Sequence, residues 1–209
     1  MIVNKVILSY LFFFSVFVLK AQITSQFKIE DKNITNVLFT AKQVSKIDIN
    51  THQDTFIKFS SSSEGSYRND IYFDYEVKEN VLYITSIYPE RLAFGDNKMT
   101  SMQEFSVAVE LYLPESINVE IISEIASVEA RGHYKNLIIN TKSGHCRLVS
   151  LNANAIINTY DGNIYITTRN AKIEAKSQNG KLDIEQSLIE KRELVLRSVN
   201  GNIKVIQTD

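Results

Sequence analysis

Few residues in this chain have the types and spacing that chemistry demands. Asp183 and Glu185 stand two apart on an alternating stretch, which places both carboxylates on one outward strand face. Paired carboxylates serve glycoside cleavage or a calcium ion. Lys181 and Lys204 fall in the same neighbourhood, so the group reads as a surface charge cluster and no enzyme is expected. The single cysteine, Cys146, occupies an apolar position and reads as a buried structural thiol. His52, His133 and His145 lack zinc-ligand spacing and read as surface or turn residues. Tyr160 and Tyr165 stand outward on either side of a turn and are the candidates for surface contact.

A repeat running from Ile117 to Ile206 sets these residues out. Gly144, Gly162, Gly180 and Gly201 recur at intervals of 18, 18 and 21 residues, and Ala126 takes the glycine position one step earlier. Seven residues before each of these stand Val119, Leu137, Ala155, Ile173 and Leu194; five before stand Ile121, Ile139, Ile157, Ala175 and Leu196. Three before stand Ser123, Thr141, Thr159, Ser177 and Ser198. Two after come Val128, Cys146, Ile164, Leu182 and Ile203; four after come Ala130, Leu148, Ile166, Ile184 and Val205. Steps of two within a longer period give two alternating strands per unit, with one side inward. A period near 20 residues marks a solenoid. The expected fold is all-β: a parallel β-helix or solenoid of about five 18-residue coils, preceded by an irregular β N-terminal half that caps it.

Ser143, Asp161, Asn179 and Asn200 precede the glycines, so a turn using positive φ is expected at each. Parallel stacking would make the Ser/Thr column an inward hydroxyl ladder. The extra residues between Ser187 and Leu194 read as a loop insertion that could hold about a turn of helix. Ile138 and Ile156 should point outward, and covering by the N-terminal half is expected.

Residues 1–22 have the layout of a cleaved signal peptide: Lys5, an apolar run to Leu19, then Lys20 and Ala21. That run is short for a spanning helix, so no stable membrane span is expected after cleavage. Removing Lys5 and Lys20 leaves 21 basic against 24 acidic residues, a balance of −3 with no electrostatic footprint for nucleic acid. Residues 23–114 read as an irregular β half and 115–209 as the regular repeats, together one continuous domain over 27–209. Ile47–Phe59 resembles an early coil, Ser60–Ser66 a polar loop, Ile71–Thr85 a hairpin turning at Glu79-Asn80, and 89–103 the longest loop. Phe105–Leu113 reads as a strand. The chain stops shortly after Ile206 on a strand, which makes the C-terminal edge a candidate for self-association.

An alternating strand ending in Leu113-Pro114, then Ile117-Asn-Val119-Glu-Ile121, then iterated Thr/Ser-x-x-Gly-x-Ile/Leu-x-Ile/Val units behind a signal peptide resembles the putative-adhesin β-strand repeat family of bacterial envelope proteins, the head-GIN adhesin-like group. The resemblance implies a β-helix-like fold outside the cytoplasm (periplasm, cell surface or secreted), no cofactor, and an envelope protein or glycan as partner. Lys20-Ala21-Gln22 and the Asn/Lys/Ile-rich composition resemble Bacteroidetes proteins. Three function classes follow: a non-catalytic binding or scaffold surface, which is favoured; a self-assembling structural solenoid; and a carbohydrate-active β-helix enzyme. The columns generate a direct test. Ile157→Asp should destabilise the fold by several kcal/mol in urea denaturation, through an unpaired inward carboxylate, whereas Asn158→Asp should cost about 1 kcal/mol or less.

Overall fold

Alternation of apolar and polar residues produces strands along almost the whole chain. The computed structural model describes residues 23–65, 72–87, 105–187 and 189–208; the expected signal segment 1–22 and the whole of the expected 89–103 loop lie outside them. In chain order the strands are β1 (Ile23–Ile29), β2 (Asn36–Ala41), β3 (Lys46–His52), β4 (Ile57–Gly65), β5 (Tyr72–Lys78), β6 (Val81–Ile87), β7 (Phe105–Pro114) and β8 (Asn118–Ser123). There follow β9 (Ser127–Ser143), β10 (Cys146–Asp161), β11 (Ile164–Thr168), β12 (Ala171–Ser177), β13 (Leu182–Ile184), β14 (Arg192–Ser198) and β15 (Ile203–Gln207). The described residues form no helix, so the turn of helix expected near 187–193 does not occur among them.

The matched columns of the sequence lie side by side in parallel ladders. Val119 pairs with Leu137, and Leu137 with Ala155; Ile121 pairs with Ile139, and Ile139 with Ile157. Beyond the turn Val128 pairs with Cys146, and Cys146 with Ile164. β9 and β10 are long because each serves two faces. Their C-terminal halves join β6, β2, β8, β14 and β12 on face A, and their N-terminal halves join β7, β3, β11, β15 and β13 on face B. The bends from face B to face A pass through residues of positive φ: Ser116 (63°), Gly132 (113°), Ser150 (52°) and Asn170 (55°). The inward columns of both faces form one buried core.

The assembly is a single open, mixed sheet of 15 strands, not a purely parallel stack. At its N-terminal end β4 pairs antiparallel with both β7 and β1, and β5 pairs antiparallel with β6. Glu79 and Asn80 turn the β5–β6 hairpin at φ 48° and 66°, the left-handed pair a two-residue hairpin needs. Phe59 stacks on Phe27 at 4.8 Å and meets Phe39 edge-on at 6.2 Å and Phe73 at 4.9 Å. These rings close that end of the core. The serine run expected to be a loop is instead part of β4, with Ser61 and Ser63 buried. Alternation with Phe59 puts these small side chains inward, and cross-strand context overrides their weak strand preference.

The order of strands in space departs from their order in the chain. β2 lies between β6 and β8, and β3 between β7 and β9. At the other end β14 lies between β10 and β12, and β15 between β11 and β13. The insertion near 187–193 is therefore the crossover that carries the last coil back past β12 and β13. The C-terminal strand is not an edge, contrary to the sequence expectation; β12 and β13 are the edge strands there.

The turn glycines also have a different cause from the one expected. Only Gly144 among the four has positive φ (121°). What the other three share is crowding by backbone. A Cβ on Gly162 would overlap the carbonyl oxygen of Gly144, one on Gly201 that of Gly162, and one on Gly180 that of Gly201. Gly201→Ala must therefore push neighbouring coils apart. It should cost about 1–3 kcal/mol and lower Tm by roughly 2–12 °C in a thermal melt.

Candidate functional site

Because side chains alternate, what is not core is displayed in columns on the two outer faces. Face B carries charges that answer one another. Lys46 pairs with Asp48 at 2.8 Å, Lys204 with Asp183 at 2.7 Å, and Glu129 with both Arg131 and Arg147. Arg147 also lies over the Tyr165 ring at 5.9 Å. Asp183 is thus held by Lys204, while Glu185 accepts a hydrogen bond from the Gln207 backbone N–H at 3.0 Å. The two carboxylates that could have formed a catalytic pair are engaged separately.

Face A is different. One outward column reads Leu38, Glu120, Ile138, Ile156, Val195 and Glu174 across neighbouring strands. Ile156 is 39% exposed, so the N-terminal half does not cover it as expected. Beside this stripe the asparagines bond along the stack. Asn118 donates to Asn36 at 2.9 Å, Asn136 to Asn118 at 2.8 Å, and in another column Asn158 to Asn140 at 2.8 Å. On the turn side a groove of about 580 Å³ runs across the strands, with Asn140, Lys142, Asn158, Tyr160, Lys176 and Arg197 in its wall. Tyr160 is 54% exposed there. Among the described residues of this wall the one ion pair is Arg197 with Glu174, at 3.8 Å.

Tyr160 and Tyr165, expected together as surface contacts, are therefore separated: Tyr160 lines the face A groove and Tyr165 sits half-buried on face B. Lys142, Lys176, Arg197, Asn140 and Asn158 were not singled out by the sequence reading. The signal was present, since they fall two or four residues before the repeat glycine.

The hydroxyl column lines up in the spatial order Ser123, Thr141, Thr159, Ser198, Ser177. Four of the five are buried, and Ser177 is half-buried. These groups cap the turn and do not bond to one another. Ser198 Oγ accepts the Gly201 N–H at 2.8 Å and donates to Gly162 O at 3.3 Å; Ser177 Oγ accepts the Gly180 N–H at 3.0 Å and donates to Gly201 O at 2.7 Å. Ser123 accepts the Ala126 N–H at 3.0 Å, and Thr141 donates to Ser143 O at 2.8 Å. Thr159 Oγ1 is buried with no hydrogen-bond partner among the described residues. Among the histidines, His145 Nδ1 accepts the Asn163 N–H at 3.0 Å, and His133 lies 3.6 Å from Glu115. His52 departs from the surface reading: its ring nitrogens are buried and it packs on Phe56 at 4.4 Å. Burial pushes the Cys146 thiol up to about 12.

No protein-family model matches the sequence, and no curated protein matches it. A solved structure named "putative cell adhesion protein", from Clostridium sporogenes, superposes with a TM-score of 0.67 at 15% identity, covering 90% of this chain and 100% of that one. The two chains share a fold. A "putative adhesin" from Bacteroides fragilis (TM-score 0.36, 12% identity, 88% and 97% covered) and a "putative lipid binding protein" from Parabacteroides distasonis (0.26, 11%, 89% and 97%) superpose too loosely to bear on it.

Two measurements check this account. Ser198→Ala should cost about 1–3 kcal/mol by orphaning a buried N–H, whereas Thr159→Val should change stability by less than about 0.5 kcal/mol. Equilibrium unfolding of both variants separates the cases. The native pKa of Cys146 lies above its ordinary value of 9.0, so its contribution to stability is intact below pH 9 and lost as pH climbs toward 12. Burial raises Tyr134 in the same direction. Tm should hold up to about pH 9 and fall beyond it, and iodoacetamide at pH 8 should label Cys146 only in denaturant.

Proposed function

We propose that this is a non-catalytic, exported envelope protein in which stacked β-solenoid coils hold face A out as an adhesin-like binding surface. The carrying observation is the difference between the two faces. Face B neutralises its own charges in ion pairs, while face A leaves Ile156 and Tyr160 exposed beside a groove lined by cations. A surface kept for solubility alone has no need of that asymmetry. The signal-peptide layout of residues 1–22 supports export, to the periplasm, the cell surface or the medium. The in-phase parallel ladders of the repeats support the solenoid reading. The fold shared with the Clostridium protein supports a role of the kind its name states. The partner is an envelope glycan or protein. Among the described residues no carboxylate lines the groove.

Self-assembly is the second reading, now placed at β12 and β13. Leu182 on that edge is 50% exposed. Lys172, Glu174 and Lys176 on β12 are the kind of charges that discourage edge pairing. Light scattering at high concentration separates the two readings: a strict monomer removes assembly.

The test of the main reading is paired. On a glycan and envelope-fraction panel, Tyr160→Ala should lower retention about tenfold, while Tyr165→Ala should change it less than about twofold. Equal losses, or new reducing ends appearing in bound glycan, would overturn it.

A further inference from the structure

The groove on face A has a composition that names a ligand class. We propose that it takes a linear polysaccharide bearing carboxylate or sulfate groups, laid across the strands with a sugar ring on Tyr160. This deepens the face A reading and rests on it.

The residues follow one another from strand to strand in two adjoining rows, Lys142 and Tyr160 in one, Arg197 and Lys176 two residues earlier along the strands in the other. Lys142 precedes Tyr160 by one coil, the Arg197 coil comes next, and the Lys176 coil after that. At about 4.8 Å per strand the three cations span roughly 14 Å, with the tyrosine between them. An extended acidic chain presents anions at intervals along such a span, whereas a compact anion would reach only one or two of them. The lining contains no aspartate or glutamate. The exposed Glu174 lies 3.8 Å from Arg197, where an incoming anion could replace it. A neutral glycan would cover three cations and pair none, and burying unpaired charge is costly. Tyr160 offers an apolar ring face with a polar tip, suited to a sugar ring that has both characters. Asn140 and Asn158, joined at 2.8 Å, hold amides between the rungs where sugar hydroxyls would fall.

The experiment is titration calorimetry of the purified exported chain with alginate, dextran sulfate, neutral dextran and poly-glutamate. Alginate or dextran sulfate should bind, dextran should not, and affinity should fall at least about tenfold between ~50 and ~500 mM salt. Lys142→Gln with Lys176→Gln should weaken binding about tenfold, and Tyr160→Ala should weaken it about fivefold, with melting temperatures unchanged; Lys204→Gln on face B should have no effect. Dextran binding as tightly as alginate, with Tyr160 required, would overturn the anionic class and leave face A as the binding surface. Poly-glutamate binding as tightly as alginate without need of Tyr160 would overturn the polysaccharide assignment. Polyanion binding indifferent to all the groove variants would overturn both the groove and the face A reading. Absence of binding to either acidic polymer would overturn the proposal.

Discussion

Everything in this molecule depends on how closely one coil lies upon the next at the turn. There the carbonyl of one turn occupies the space in which the next would carry a Cβ. Glycine permits the approach, and at Gly180 and Gly201 the serine three residues earlier makes it favourable by accepting the glycine N–H. With the turns locked, the strands on either side have no freedom of register. A one-residue slip would turn every aliphatic column out to solvent. The alignment of Cys146 with Val128 and Ile164 and of Thr159 with Thr141 follows from that single constraint.

Much of this was legible in the chain. The inward columns, the hairpin at Glu79-Asn80 and the role of Phe105–Leu113 as a strand are local patterns, written by alternation and turn chemistry. Three things were not. The cause of the glycines was hidden because Asp-Gly and Asn-Gly pairs signal positive φ, while at Gly162, Gly180 and Gly201 the constraint comes from a neighbouring coil. Ser61 and Ser63 were read as loop because propensity ignores what lies across the ladder. The order of coils was hidden because equally spaced repeats carry no label of which neighbour each will choose. Of the site, Tyr160 was legible as an outward aromatic. The cations around it required reading a further outward column across all the repeats.

The two faces divide two demands that a single outer surface would have to reconcile. Face B is self-satisfied: its acids and bases meet along single strands and across neighbouring ones and leave little for a partner. Face A sets asparagines in bonded lines and leaves aliphatic, aromatic and cationic groups between them. Bonded amides are stiff and uncharged, so that surface is ordered before anything touches it, which lowers the entropy lost on association.

The inserted coils change how such a stack can come apart. A repeat array ordinarily frays from its chain ends, because the first and last units each have one neighbour. Here the first and last coils of the regular stack are gripped on both sides. Peeling β15 away means prying open two ladders at once, to β11 and to β13. The same lock restricts assembly: β12 and β13 have no seat until β14 and β15 are in place. Folding therefore does not run as a simple zipper in chain order, because β14 and β15 must dock on β10 and β11 before β12 and β13 can dock on them.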